Sequence, residues 1–495
     1  MISYTLGVSL PFLFLCLSYI VYQRCFHPLA KYPGPWVASL TNLWKAYQVS
    51  TLRMPYILSE LHDRHGPILR IGPNTLSFSH PDAIAPIYQA GRAMKKSRFY
   101  DAFTAITPNI FGTQDEDFHA MRRRQLIPAF SMASVMRMEE HLDRNIAILR
   151  RKLDERADAR DVFDLKDYLS RYIIDVLGEL AFSKSFETQT SETAELPPVK
   201  DHVLLATMLG QVPVLLAPVK RIIALLPIPR LQKMFESRDR LRKLAVDSVA
   251  KRLEKKSSDG RIDLLMKLID AKDSETGRKL TKPEIDTEAF GLIIAGTHST
   301  AGTLSLLFWH LLHNPGYLER CREELLCEMG MLRPELAAYP VGDLEINLEF
   351  LMACIRENLR MDPVFNMPLP RIVLAPAGAE ICGELIPYGT EVAMVNHCVH
   401  HNAAAWGVDH DTYDPTRWLD ERAEAKLKWL IPFSVGHRMC IGKNIAMSNI
   451  LKITTTLVAC YDFDLLDTSA LRPDVISVGV AELRGQILCR VRKRT

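Results

Sequence analysis

No cysteine occurs between residues 26 and 320 of this 495-residue chain, and no CxxC pair occurs anywhere in it. The ten cysteines are Cys16, Cys25, Cys321, Cys327, Cys354, Cys382, Cys398, Cys440, Cys460 and Cys489. That scatter excludes a dense disulfide framework and a paired-cysteine zinc site, and fits reduced thiols in a cytosol-facing protein. An excess of either charge is also lacking: 61 Lys and Arg stand against 58 Asp and Glu, a net charge of +3. There is no long basic run and no interleaving of basic with aromatic residues, so no nucleic-acid surface is expected. Internal repeats are absent as well.

Charge is missing altogether from residues 2–23, "ISYTLGVSLPFLFLCLSYIVYQ". About 20 apolar residues cross a bilayer as a helix, and Pro11 is tolerated there. Arg24 and Lys31 follow the run and nothing basic precedes it, which places the body on the cytoplasmic side. Without a charged leading region or a small-residue cleavage site before Arg24, the run reads as an anchor and not as a cleaved signal. Residues 24–37 contain "KYPGPW", a stiff hinge in which proline fixes φ on each side of Gly34. Residues 38–495 are expected to form one large unit.

Within that unit, "GPILRIGPNTLSFSHPDAI" reads as a β-hairpin, Ile68–Ile71 with Thr75–Phe78, followed by a helix from Pro81. From Gln114 to Lys256 the periodicity is mainly helical, with "ETQTSETAELPP" as a polar loop and "KKSSDG" and "AKDSETGRK" as charged loops. A long helix then opens at Thr281 and Glu284, a capping-box spacing with Pro283 in the first turn, and stops at Asn314–Pro315. About 30 residues make about 45 Å of helix, enough to cross a large domain. Its centre, "AGTHST", is small and polar where a buried helix should be most apolar. A helix over Leu348 to Arg360 follows, then the extended pieces "RIVLA", "AEICGELIPYG" and "EVAMVNHCV", a helix after Cys440, and the strand-like "QILCRVR". The predicted class is mainly α with small segregated β-sheets (α+β).

The stretch "FSVGHRMCIG", Phe433 to Gly442, puts one cysteine in a polar, glycine-punctuated loop. Gly436 and Gly442 permit close backbone approach and positive φ. Cys440 sits just ahead of a helix, where free N–H groups and the helix dipole favour a negative sulfur, and Arg438 adds a cation. Phe433 can lie against a flat ligand.

This loop resembles that of the cytochrome P-450 family, whose pattern F-x-x-G-x-R-x-C-x-G is filled by Phe433, Gly436, Arg438, Cys440 and Gly442. Glu357 and Arg360 match the family's E-x-x-R helix, a spacing that Glu275/Arg278 and Glu319/Arg322 also show. In "YDPTRWL", Arg417 would bond Glu357, a structural cluster holding the cysteine loop. "HAMRRRQLIPAFS" resembles the helix that contacts a haem propionate. Arg123 fits that role, His119 stands where tryptophan is usual, and Arg122 and Arg124 read as a solvated basic face. Arg371 in "PLPRIV" matches a further propionate arginine.

The resemblance, which spans residues 30 to 490, implies a single large domain of the cytochrome P-450 fold behind an N-terminal transmembrane helix. It implies haem b with Cys440 as the metal ligand, and cofactor contacts from Phe433, Arg438, Arg123, His119 and Arg371. It implies insertion of one oxygen atom from O2 into an apolar small molecule, with electrons from NADPH through cytochrome P-450 reductase. Single-pass residence in the endoplasmic reticulum membrane, facing the cytoplasm, follows. In the family's distal motif A-G-x-[DE]-T-[ST], Gly296 would open room for dioxygen, Ser299 would supply the hydroxyl, and His298 would replace the acid as a proton carrier. "YPGPW" and "RIGPNTLSFSHPDAI" look like those of fungal tailoring oxygenases of secondary metabolism. Two other classes stay open: a haem-thiolate enzyme that rearranges or dehydrates without O2, and a membrane-anchored haem-binding protein without turnover. Family position places the substrate cavity walls in Phe99 to Phe111, "LLATMLGQVPVLLAP" and "VISVGV".

Overall fold

The uncharged N-terminus forms helix α1, Ile2–Val21, which ends in a wider turn over Tyr22–Phe26. The computed structural model describes residues 2–191, 193–213, 227–254, 263–342, 344 and 348–494, with side chains from residue 11 onward. Phe12, Phe14 and Leu15 on α1 are exposed. The turn after α1 is gripped by the body. The buried Arg70 guanidinium donates to Gln23 O at 2.7 Å, Gln23 Oε1 at 2.6 Å and Pro73 O at 2.6 Å. The Pro/Gly stretch lies against the same residue: Arg70 N donates to Pro33 O at 2.7 Å, and a Cβ on Gly34 would stand 2.2 Å from Arg70 O. Glycine is therefore required there by close approach, and the stretch predicted as a hinge is docked along a strand.

That strand is β1, Ile68–Gly72, which pairs with β2, Thr75–Phe78, as the alternation predicts. Strand β3 is Met94–Lys96. Helix α2 covers Glu116–Leu126, and α3 covers Leu165–Phe182. The long helix, α4, is Lys282–His313, and α5 is Glu349–Met361. Strands β4, Arg371–Val373, and β5, Glu391–Met394, complete a five-stranded sheet of order β1-β2-β5-β4-β3. Helix α6, Lys443–Cys460, follows the cysteine loop, and β6, Val475–Ser477, pairs with β7, Ala481–Leu483. "QILCRVR" supplies Leu488–Lys493, the centre of a separate three-stranded sheet. The described residues are thus mostly helical, with small sheets set apart, as the patterning predicts.

Helix α4 carries the predicted capping box, Thr281 with Glu284, and ends at Asn314. Pro315 cannot continue it. It is long and apolar enough to cross a membrane by composition, but most of it is buried in the protein's own core. Leu304, Leu306, Leu307 and Leu311 are wholly buried. One expectation shifts. The second half of "EVAMVNHCV" is a short helix, Asn396–His400. There His400 uses its ring and its carbonyl at once: Nε2 accepts from Ile431 N at 3.0 Å and O accepts from Arg360 Nη1 at 2.8 Å. "KKSSDG" and residues 214–218, the end of "LLATMLGQVPVLLAP", lie outside the described residues.

His62 ties the helix Met54–His65 to the sheet, with Nδ1 3.0 Å from Gly66 O and Nε2 2.9 Å from Ser77 Oγ. Burial pulls its pKa down from 6.5 to about 4. Between those values the unfolded chain takes up a proton that the folded chain refuses, so acidification destabilises the fold. From pH 7 to pH 4.5 this one site should cost about 2–3 kcal/mol. His62→Gln, which cannot titrate, should flatten the pH dependence of urea unfolding by that amount. An unchanged slope would show that His62 does not carry it.

Candidate active site

The cysteine loop is shaped by its own backbone bonds. Ser434 N donates to Ile431 O at 2.9 Å, Met439 N to Gly436 O at 3.1 Å, and Cys440 N to Phe433 O at 2.9 Å. Gly436 has φ +72°, and a Cβ there would stand 2.5 Å from Tyr88 O, so both its conformation and its surroundings demand glycine. Gly442 has an ordinary φ of −83° at the N-cap of α6. Cys440 is accessible yet ringed by protein. Burial raises its thiol pKa, while the Gly442 and Lys443 N–H groups and the Arg123 charge act in the opposite sense. The negative sulfur expected from the sequence is therefore not a property of the bare loop. A coordinated metal ion supplies the missing positive charge and deprotonates the thiol outright.

Four of the predicted cofactor residues gather beside that loop. Arg123, on α2, donates from Nη1 to Met439 O at 2.8 Å. Arg438 donates from Nη2 and Nε to Glu116, at 2.8 and 3.2 Å, and its buried Nη1 has no partner. Glu116 also takes His437 Nε2 at 2.9 Å. Burial works against the Glu116 charge, but Arg438 and His437 outweigh it and hold the carboxyl below its usual range. His119 is buried with its ring edge toward His437, at 5.9 Å between centroids. Burial, with Arg438, Lys96 and Arg123 around it, pushes His119 down to about 2, so it is neutral. Arg371, on β4, donates to Tyr100 Oη at 2.8 Å. Phe433 is half-buried against the core at the start of the loop.

Arg122 and Arg124 correct the sequence reading. Arg122 is fully buried, with Nη2 2.7 Å from Glu284 Oε1 and Nε 3.3 Å from Glu288 Oε1, and Arg124 pairs with Asp273 at 2.8 Å. They pin α2 to the start of α4 and its approach loop. The periodicity of α2 could not show this, because the partner acids lie more than 140 residues away.

On α4 the centre behaves as its composition suggests. Ala295 is exposed and Leu292 and Ser299 are incompletely buried, an i, i+3, i+7 stripe in a helix whose later turns are buried. Ser299 Oγ donates to Ala295 O at 2.6 Å. Gly296 faces elsewhere: a Cβ there would lie 2.7 Å from Leu177 Cδ1, so the glycine allows α3 to approach. His298 points toward β7. Its buried Nε2 has no partner, and burial draws its pKa down to about 4, with the charges of Glu482, Lys200 and Lys166 felt beyond it. Glu482 pairs with Lys200 and lies 3.5 Å from Lys166.

The described parts of the three predicted wall segments converge. A Cβ on Gly210 would touch Phe99, and one on Gly479 would stand 2.2 Å from Thr207 Oγ1. Phe99, Tyr100, Phe103, Phe111 and Phe365 form a chain of ring contacts with centroids 5.2–6.1 Å apart. Behind the site, Glu357 is wholly buried and accepts from Arg360, from Arg417 Nε at 2.9 Å, from Trp418 Nε1 at 2.9 Å and from Asp414 N at 3.0 Å. The predicted Glu357–Arg417 bond is present. Sequence reasoning missed Lys96, Tyr100 and Glu116, which belong to no motif. Strand pairing alone places Lys96 opposite Arg371.

These groups fit a haem. An accessible thiol lies ringed by protein ahead of a helix N-terminus, and an orphaned guanidinium nitrogen lies beside it. Lys96, Arg123, Arg371 and Arg438 crowd together with Glu116 as the acid placed among them. A planar ligand with two carboxylates and a central metal matches that donor set. Among known proteins, the sequence profile of the family described as Cytochrome P450 matches residues 33–488. The chain is 31% identical over 468 residues to cytochrome P450 monooxygenase gsfF of Penicillium aethiopicum, covering 91% of each. It is 32% identical over 456 residues to cytochrome P450 monooxygenase cicH of Emericella nidulans, covering 89% of each. It is 30% identical over 465 residues to pisatin demethylase of Fusarium vanettenii, covering 91% of this chain and 86% of that one. With nearly its whole length matched, the chain belongs to the cytochrome P450 family, as a haem b monooxygenase.

Proposed function

We propose that the chain is a single-pass, membrane-anchored monooxygenase that inserts one oxygen atom from O2 into a mostly apolar secondary metabolite. Electrons come from NADPH through cytochrome P450 reductase, with α1 in the endoplasmic reticulum membrane and the body in the cytoplasm. The observation that carries this reading is the open stripe of α4, which sets the Ser299 hydroxyl beside Ala295 in a helix otherwise devoted to core packing. When bound, a haem held by the Cys440 sulfur would supply dioxygen activation, thiolate ligation favouring O–O cleavage. Cys440 binds the metal. Arg438, Arg371, Arg123 and His119 orient the cofactor's carboxylate edge, and Phe433 packs at the start of the loop. The aromatic chain from Phe99 to Phe365 and the β6–β7 turn keep water from an apolar substrate.

Ser299 and His298 handle protons. The Ser299 hydroxyl gives its own hydrogen to Ala295 O and keeps lone pairs free to take another. His298 is neutral near pH 7, with one ring nitrogen able to accept, and it feels the charges of Glu482, Lys200 and Lys166. Ser299→Ala and His298→Ala should keep haem and substrate binding. They should release peroxide in place of product and lower product per NADPH by roughly 10²-fold or more, the range of proton-transfer catalysis. Ser299→Thr should be tolerated. If His298→Ala left the product-to-NADPH ratio unchanged, His298 would be a packing residue.

The reading as a whole is tested with reconstituted reductase, NADPH, ¹⁸O2 and a panel of apolar metabolites. Product should carry one ¹⁸O and require NADPH. Turnover without either would overturn it in favour of a rearranging enzyme.

A further inference from the structure

Lys96 and Arg371 are direct cross-strand partners in the β3–β4 ladder, and both side chains are buried, each 4% exposed. Like charges opposite one another in a sheet destabilise it, and a buried cation is costly without a counter-charge. No acid pays that cost. Glu116 has both oxygens engaged by Arg438 and His437. Glu391, on the neighbouring strand, is held by Lys45 at 3.3 Å and Thr75 at 2.7 Å. Among the described residues the Lys96 ammonium makes one hydrogen bond, to Phe111 O at 2.5 Å. It also stands 4.2 and 4.4 Å from the ring centres of Tyr100 and Phe111. Burial and the charges of Arg371 and Arg438 hold its pKa well below that of an ordinary lysine. A lysine has three protons to donate, so two remain.

We propose that Lys96 is a cofactor-binding residue: it donates to a haem carboxylate alongside Arg371 and Arg438, and ties that edge of the haem to the Phe99–Phe111 segment through Phe111 O. The juxtaposition explains why three cations from β3, β4 and the cysteine loop tolerate one another. An anionic edge between them turns mutual repulsion into three charge-assisted hydrogen bonds. It also gives the substrate-facing segment a direct dependence on the cofactor, because one ammonium serves both. The inference rests on the haem assignment and is independent of which reaction the haem performs.

The test uses purified holoenzyme and three variants: Lys96→Gln, Lys96→Arg and the neighbouring Lys95→Met. Two quantities are read: the rate of haem loss to an excess of apomyoglobin, and the Fe(III)/Fe(II) midpoint potential by spectroelectrochemistry. Lys96→Gln keeps a donor for Phe111 O but removes the charge. It should lose haem about tenfold faster or more, the worth of a hydrogen bond to a charged group, and its potential should move to more negative values. Lys96→Arg should retain the wild-type values, and Lys95→Met should change neither. If Lys96→Gln matched wild type in both readouts, the proposal would be overturned. Failure of Lys96→Gln and Lys96→Arg alike to give folded protein would make Lys96 a structural brace and overturn it as well. A wild-type protein without a thiolate-type carbonyl spectrum would instead remove the haem assignment beneath it.

Discussion

Replacing Cys440 with serine should abolish the red-shifted Soret band of the reduced carbonyl complex and eliminate turnover. The loop offers one thiol, and its neighbours are arranged around it: Phe433 O receives the Cys440 amide, and Gly442 and Lys443 turn their N–H groups toward the sulfur. A serine oxygen in the same place is harder to ionise and a poorer donor to iron, so the electron push that favours O–O cleavage is lost with it. The protein should still fold, because Cys440 is accessible and the loop's shape is set by backbone bonds and Gly436. Absorbance of the carbonyl complex and circular dichroism, measured together, separate the two effects. A serine variant that kept the red-shifted band would remove Cys440 as the metal ligand.

Glu357→Gln should be the most damaging change outside the cofactor site. One carboxylate, wholly buried, pairs with two buried guanidiniums and accepts the Trp418 indole and the Asp414 amide as well. Arg360 spends its remaining donors on His400 O at 2.8 Å and His410 O at 2.6 Å, so it cannot turn to solvent when its acid is gone. Breaking such a buried pair from one side typically costs 3–5 kcal/mol. The expected result is a protein that accumulates poorly, binds less haem per chain and unfolds at lower denaturant. The residue is a positioning one: it fixes the Asp414–Trp418 segment that precedes the cysteine loop. Glu357→Gln that bound a full complement of haem and lost under about 1 kcal/mol would show that this segment holds itself.

Local signals in the sequence reached their targets. The Ile68–Phe78 hairpin, the capped start of α4 and the helix after Cys440 depend on alternation, capping and glycine placement, all read within a dozen residues. Arg417 was found at Glu357 because a known pattern supplied the pairing. What stayed hidden depends on long-range register. Lys96 becomes a cofactor candidate only through its pairing with Arg371, 275 positions on. Arg122 is a core ion-pair residue only because α4 brings Glu284 to it. Leu177 packs where a Gly296 Cβ would stand, a contact the sequence could not show, since a glycine in a helix does not announce which neighbour comes close. The direction in which His298 points, toward Glu482 and two lysines, is likewise set by where β7 lands.

The grip of Arg70 on Gln23 makes the N-terminal helix a lever and not a leash. Two hydrogen bonds from one buried side chain hold Gln23 at the exit of α1, and Tyr19 Oη adds a third link, to Leu40 O at 2.9 Å. A flexible linker would leave α1 without a fixed direction relative to the body. Here the exit of α1 is fastened to β1, the outer strand of the sheet whose far edge carries Arg371 and Lys96. The direction in which α1 leaves that sheet is thereby built into the first 70 residues.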